Sequence, residues 1–352
     1  GDYCTLVNNT VVGVGNVGNL IYLTTYNVDI PRNITYNSHN LIANNTLRGP
    51  QQAASICWGI VLSGTDNLVE NNTLYFNGSG VNVQWGSGSG DGEGEGLFNI
   101  SGNTIRNNKF YISCGISGGD VIYNNYIENG QIKVSNALVY NNTATSLTID
   151  EGNSEVRDNI INGDITATSD KIKSAVLVNN TINGNIEIGQ RVSNITFIEN
   201  NITGSVTLDG SNNVFTNNRI TSEDEYTIYS KRTCTNNVIT DNYLLSAENA
   251  GDDSIYLKDA SNIIENNIPI NTKIDLAAPW EVTVNTTTPI TIILTTKGEL
   301  LPQQELTITT GNGNETVTTE NGILIYQYTP TTIGEETVTV TFKGEGNYYT
   351  ST

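Results

Sequence analysis

Ile105-Arg106-Asn107-Asn108-Lys109-Phe110, Ile122-Tyr123-Asn124-Asn125-Tyr126-Ile127 and Val139-Tyr140-Asn141-Asn142-Thr143-Ala144 repeat one six-residue frame at intervals of seventeen residues. A fixed short period is the mark of a solenoid, in which each unit buries its apolar face only against its neighbours. Working outward, Asn doublets, or near-doublets such as Asp158-Asn159, begin at 8, 44, 71, 107, 124, 141, 158, 179, 200, 217, 241 and 266. Two residues before the doublet stands a large apolar residue, from Ile42 and Val69 to Ile239 and Ile264. Three residues after its start the chain is again apolar, with Thr203 and Pro269 as the weak members.

Residues two apart in a strand share a face, so the first Asn of each doublet is expected to point inward with the apolar residue before it. A buried carboxamide must be hydrogen-bonded, and stacked turns offer it an equivalent amide above and below. The pattern predicts a parallel β-helix with Asn at one corner. Fragments such as Ile132-Lys133-Val134 and Ile186-Glu187-Ile188 alternate as strands covered on one face do. No stretch keeps a helical apolar period over about twelve residues, which excludes a helical solenoid. Eleven turns at about 4.8 Å each predict a coil roughly 50 Å long.

The long turns 8–43 and 71–106 carry excursions. In the first, Leu20-Ile21-Tyr22-Leu23 reads as a strand that caps the open coil end. The second holds Asp91, Glu93 and Glu95 alternating with glycine, three carboxylates of the kind that calcium takes as ligands. They are the candidate metal site, and calcium the candidate cofactor, although the spacing fits neither an EF-hand nor a calcium-binding nonapeptide. The coil closes at Asn266-Asn267-Ile268-Pro269, because proline cannot donate to another rung.

Beyond 275 the pattern changes to alternating Thr with Val or Ile in six runs, at 282–285, 290–296, 305–309, 315–319, 322–328 and 335–342. Short strands at this spacing predict an immunoglobulin-like sandwich. Such a sandwich usually has about seven strands. The last is either cut from the sequence or donated by a neighbouring subunit. The expected division is therefore 1–274, a β-helix with an N-terminal cap, and 275–352, the sandwich.

Sixteen basic against thirty-six acidic residues give a net charge of -20, which sets aside nucleic acid and anionic membrane as partners. No apolar run is long enough to span a bilayer as a helix. The start Gly1-Asp2-Tyr3-Cys4, in a chain without Met, reads as a processed N-terminus after export. Cys4, Cys57, Cys114 and Cys234 form no C-x-x-C pair and His39 is the only histidine, a poor set for structural zinc. Three disulfide pairings stay open, though Cys57 and Cys114 lie about two turns apart, beyond disulfide reach; free thiols are the simplest reading.

The Asn-Asn-x-apolar coil, the close Gly251-Asp252-Asp253-Ser254-Ile255, and the module with Tyr328-Thr329-Pro330-Thr331-Thr332-Ile333-Gly334 and Phe342-Lys343-Gly344-Glu345-Gly346-Asn347-Tyr348-Tyr349-Thr350 together resemble the adhesin-like surface proteins of methanogenic archaea. The resemblance covers nearly the whole chain. It implies a right-handed parallel β-helix joined to an immunoglobulin-like domain, an extracellular location at the cell surface, and a role in adhesion or envelope construction. It supplies no catalytic residues. The expected function is a structural subunit of an envelope layer, sheath or filament that associates with itself, with surface glycans as further partners.

Twelve Asn-x-Ser/Thr sequons are present. Those at Asn8, Asn44, Asn71, Asn141 and Asn179 fall on the first Asn of a doublet, where an inward side chain leaves no room for sugar. The expected glycosylation sites are therefore Asn33, Asn77, Asn99, Asn194, Asn201, Asn285 and Asn314. Two rival classes stand beside the structural one. A polysaccharide-cleaving enzyme needs clustered acid and base, for which Asp150 with Glu151, Asp209, and Asp252 with Asp253 are the candidates, served by Lys171, Lys173 and Arg191. A glycan-binding adhesin would use Trp58, Trp85 or Tyr229 as sugar platforms, although ordinary packing explains such aromatics as well.

Overall fold

The computed structural model describes residues 2–13, 19–23, 37–49, 58–83 and 100–352. The chain is all-β. Through residue 268 it winds as a solenoid of parallel strands with three faces per turn. Strands such as Val121–Tyr123, Leu138–Tyr140 and Val214–Thr216 build the first face, and Thr181–Ile182 or Arg219–Thr221 the second. Gln131–Ser135 and Ile186–Ile188 lie on the third. The second face is an eleven-stranded parallel sheet. The first and third join into one sheet of twenty-two strands, because Ser146–Arg157 runs through the corner and pairs on both.

Pairing keeps like residues in columns. Ile105, Ile122 and Val139 follow one another on the first face, and Ile165, Ile186 and Val206 on the third. These inward residues form one core from Ile21 to Ile255. Large members stack directly, as Phe197 on Phe215 with ring centroids 4.5 Å apart. Each buried aliphatic side chain contributes about 1.5–3 kcal/mol, and it does so only when a neighbouring turn covers it.

The corner between the first and second faces reverses the expected direction of the doublet. Asn107, Asn124 and Asn141 have φ of 56°, 55° and 54° and are exposed, whereas Asn108, Asn125 and Asn142 are buried. A left-handed residue breaks the two-residue alternation on which the inward reading of the first Asn rests. The side chain that turns in is the next one. Asn tolerates this backbone better than most residues. The same correction shifts one frame: Glu199 is the left-handed residue and Asn200 the buried one, so the apolar position is Ile202, fully buried, and not Thr203.

The buried Asn form a continuous column. Asn142 donates its backbone N–H to Asn159 Oδ1 at 2.9 Å, and its Nδ2 donates to the same oxygen at 3.0 Å, to Ile122 O at 2.9 Å and to Tyr140 O at 2.9 Å. Its own Oδ1 accepts from the backbone and Nδ2 of Asn125. Every donor and acceptor of a group that would otherwise cost about 1–3 kcal/mol to bury is thereby used. The same links run without a gap from Asn9 through Asn45, Asn72, Asn108, Asn159, Asn180, Asn218 and Asn242 to Asn267.

Leu20–Leu23, expected as a cap, belongs to the strand Asn19–Leu23, a rung of the third face paired with Trp58–Leu62. Its apolar residues continue the column instead of covering it. Beyond the coil, Thr272–Ala277, Thr288–Thr296, Glu299–Leu300 and Ile323–Tyr328 form one antiparallel sheet, and Glu305–Thr310, Gly313–Thr318 and Thr339–Phe342 another. A second core of Ile292, Leu294, Leu306, Ile308 and Phe342 lies between them. The run at 282–285 is a turn, and the strand Thr272–Ala277 was not among the six expected.

Candidate functional site

At the corner where the third face meets the first, a polar cleft of about 350 Å³ is lined by Asn82, Ser117, Asp120, Lys133, Asn136, Asp150 and Glu151 among others. A bulge creates it: Val134 pairs with Ile149 but Ser135 with Glu151, so Asp150 is the extra residue. An unpaired extra residue lets two neighbouring carboxylates reach the outside together. Lys133 Nζ lies 3.2 Å from Asp150, and Lys171 Nζ lies 3.8 Å from Glu151. Asp120 accepts the backbone N–H of Asn103 at 2.9 Å. Burial pushes its carboxyl above the usual range, the Asp66 charge adds to this, and the bonds from Asn103 oppose it.

The cleft can bind a polar, hydroxyl-rich ligand through amides and carboxylates. Its two carboxylates on the bulge are each already beside an ammonium. A smaller cleft of about 170 Å³ beside it includes Cys114 and Gly115. Burial pushes the Cys114 thiol up to about 12, so it is no nucleophile at neutral pH. Cys234 is also free and buried, and Cys4 is free and exposed; Cys57 lies outside the described residues.

The remaining expected residues do not converge. Asp91, Glu93, Glu95, Trp85, Asn33 and Asn99 lie outside the described residues. Among those described, no group of three or more His, Cys, Asp or Glu side chains is placed to hold a metal ion. Asp209 accepts the backbone N–H groups of Lys231 and Arg232, a loop-fixing role. Arg191 pairs with Asp170 at 3.3 Å, and Lys173 is exposed. Trp58 begins a rung. Tyr229 has Lys231 over its ring at 5.8 Å. Asn194, Asn201, Asn285 and Asn314 are exposed and Asn77 half-buried. With the corner corrected, the sequon residues Asn8, Asn44, Asn71, Asn141 and Asn179 are exposed too.

Asp252 and Asp253 do not act as a pair. Asp252 Oδ1 accepts both donors of Asn267, and its Oδ2 accepts Lys297 Nζ at 2.9 Å. Asp253 Oδ2 accepts Asn271 Nδ2 at 3.0 Å. The carboxylate expected as a catalytic candidate terminates the amide column and ties the coil to the following module.

Two features escaped the sequence reading. A second amide column stands five residues upstream of the first: Asn40 donates to Asn67, Asn67 to Asn103, and Asn103 to Asp120, and it resumes from Asn213 to Asn237 and Asn262. The doublets Asn212-Asn213 and Asn236-Asn237 are its trace in the sequence. Outside the coil, Tyr123 stacks on Tyr140 at 4.7 Å, with Arg157 over Tyr140 at 4.5 Å and Arg106 bonded to Tyr123 Oη. Tyr75 stacks on Tyr111 at 5.1 Å under Arg48. Their neighbours one rung away occupy these ring faces, so the edges and hydroxyls are what meets solvent.

Comparison with protein-family models, with curated proteins and with solved structures gives no match for this chain.

Proposed function

We propose that this chain is an extracellular structural protein of the cell surface, a subunit of an envelope layer, sheath or filament held together by contacts between copies. On this reading the coil is right-handed, the terminal module is immunoglobulin-like, and the chain is akin to the adhesin-like surface proteins of methanogenic archaea. The observation that supports it most is the unbroken amide column from Asn9 to Asn267, closed by Asp252 and carried on to Lys297. Polar groups that an enzyme would present to a substrate are spent here on the stiffness of a rod. Phe342 and Ser351 exchange backbone hydrogen bonds of 2.8 and 3.0 Å at one end of the strand Thr339–Phe342, and the edge beyond suits a strand donated by a second copy.

A second reading is a surface-glycan binder using the corner cleft, supported by the convergence of Asn82, Asn136 and Glu151 there. Cleavage of a polysaccharide has less support, since the two carboxylates of the cleft already pair with Lys133 and Lys171. Immunogold labelling of native cells, with electron microscopy of the purified chain, tests the structural reading. Label on an ordered lattice or fibre is expected. Dispersed particles that retain glycans on an array would replace it with the binder, and loss of a polysaccharide on incubation would revive the enzyme.

A further inference from the structure

A sheet buried on one side alternates apolar inside with polar outside. The second and third faces follow this for the most part, with Thr143, Thr181 and Arg219 outside the one and Lys133, Thr166 and Glu187 outside the other, interrupted by Tyr126 and Ile160 on the second and by Tyr22 and Tyr256 on the third. The first face departs from it furthest. Its outer column reads Val121, Leu138, Glu155, Val176, Thr196, Val214, Val238 and Ile263, and Tyr123, Tyr140, Arg157, Val178 and Ile198 stand beside it. Val176 is 37% exposed and Ile263 49%, the other apolar and aromatic members half-buried by their own neighbours along the column. None of these residues belongs to the core of the coil or packs against it.

We propose that this outer surface of the first face is where two copies of the chain dock against each other. The inference rests on the structural-subunit reading for its setting, and on three observations for its partner. First, the strands pair without offset from Leu41 beside Leu68 to Val238 beside Ile263, so the side chains form straight ridges about 4.8 Å apart. A surface with the same repeat meshes along the whole length, and a second copy has that repeat by construction.

Second, the face is close to neutral in a chain of net charge -20. Its charged side chains are Glu70, Arg106, Glu155, Arg157, Lys173 and Glu265. Arg106 lies 2.6 Å from Glu70 and Arg157 3.1 Å from Glu155, which leaves Lys173 and, near the end of the coil, Glu265, one charge of each sign. Two acidic rods can approach here with little repulsion. Third, three residues of strand by about 50 Å of coil give roughly 500 Å² per copy. Two copies together reach about 1,000 Å², the lower limit for a specific interface. That area suits a reversible contact which becomes durable when repeated in an array.

The test uses the full chain and the double variant V214K/V238K, with V214T/V238T as a milder partner and T181K/T203K as a control on the second face. Sedimentation equilibrium across a concentration series should show 38.0 kDa chains associating into dimers in the parent. Association should weaken at least about tenfold in V214K/V238K and less in V214T/V238T, with the control and the thermal midpoints unchanged. A monomeric parent at every concentration overturns the proposal, as does a parent that stays monomeric but binds phosphatidylcholine vesicles. Undiminished association in V214K/V238K also overturns it, and if labelled lattices persist on cells the structural reading survives with its contact placed elsewhere.

Discussion

Asp252 Oδ1 accepts the backbone N–H of Asn267 at 3.1 Å and its Nδ2 at 2.8 Å, in the place where every earlier asparagine of the column meets another asparagine. Each amide hands two donors to the next rung, so the last one needs a partner that only accepts. A carboxylate is that partner, and the bond is charge-assisted.

Asp252→Ala should therefore leave two donors of a nearly fully buried residue without an acceptor. A loss of about 2–3 kcal/mol is expected in the closing turns. Asp252→Asn keeps an oxygen in place and should cost less. Hydrogen exchange at the Asn267 and Asn242 amides measures both, and equal effects would remove the capping role.

The two positions of a doublet should respond oppositely to glycine. Asn141→Gly relaxes a left-handed backbone and should change stability by no more than about 0.5 kcal/mol. Asn142→Gly removes the acceptor for both Asn125 donors, and should cost about 3 kcal/mol or more. Glu199 holds the left-handed position without the usual side chain, so Glu199→Asn should gain up to about 1 kcal/mol. Urea unfolding of the three variants decides. A costly Asn141→Gly beside a neutral Asn142→Gly would restore the inward reading of the first Asn.

Asp120 gives a pH signature. Burial raises its folded-state pKa above the unfolded value, so its ionisation weakens the fold at neutral pH. The weakening disappears as pH falls through that raised pKa. Asp120→Asn keeps an oxygen for the Asn103 N–H without the charge. It should stabilise the protein at neutral pH, and the gain should shrink on acidification. Thermal melts across the acid range check this, and a gain that grows towards low pH would contradict it.

Native alkylation at about pH 8 should label Cys4 and spare Cys114 and Cys234 until the chain is unfolded. Burial raises both of the latter thiols, Cys114 to about 12. Peptide mapping reads the order, and native labelling of Cys114 would mean that its rung opens readily.

The repeat, the all-β class and the apolar frame were legible because they are periodic, and Ile105, Ile122 and Val139 are where the frame puts them. Which Asn turns inward was not, since both residues of most doublets are Asn and the deciding left-handed φ leaves no mark in alternation. One signal was available. The first position also accepts Asp158, Glu199 and Asp241, while the second is Asn on every rung, because a carboxylate cannot donate to the next turn. The role of Asp252 was hidden for another reason: its partners Asn267 and Lys297 come from later chain segments that only the closed coil brings beside it. The corner cleft depends on a bulge at Asp150, a register event that composition does not announce.

A column that any amide can prolong and an acid can end makes the length of this rod a heritable variable. Tandem duplication of a seventeen-residue unit such as 125–141 would add one storey without disturbing its neighbours. The stop arrives from outside the repeating unit and would still fit the last Asn. Relatives of different heights could thus share one foundation and one roof.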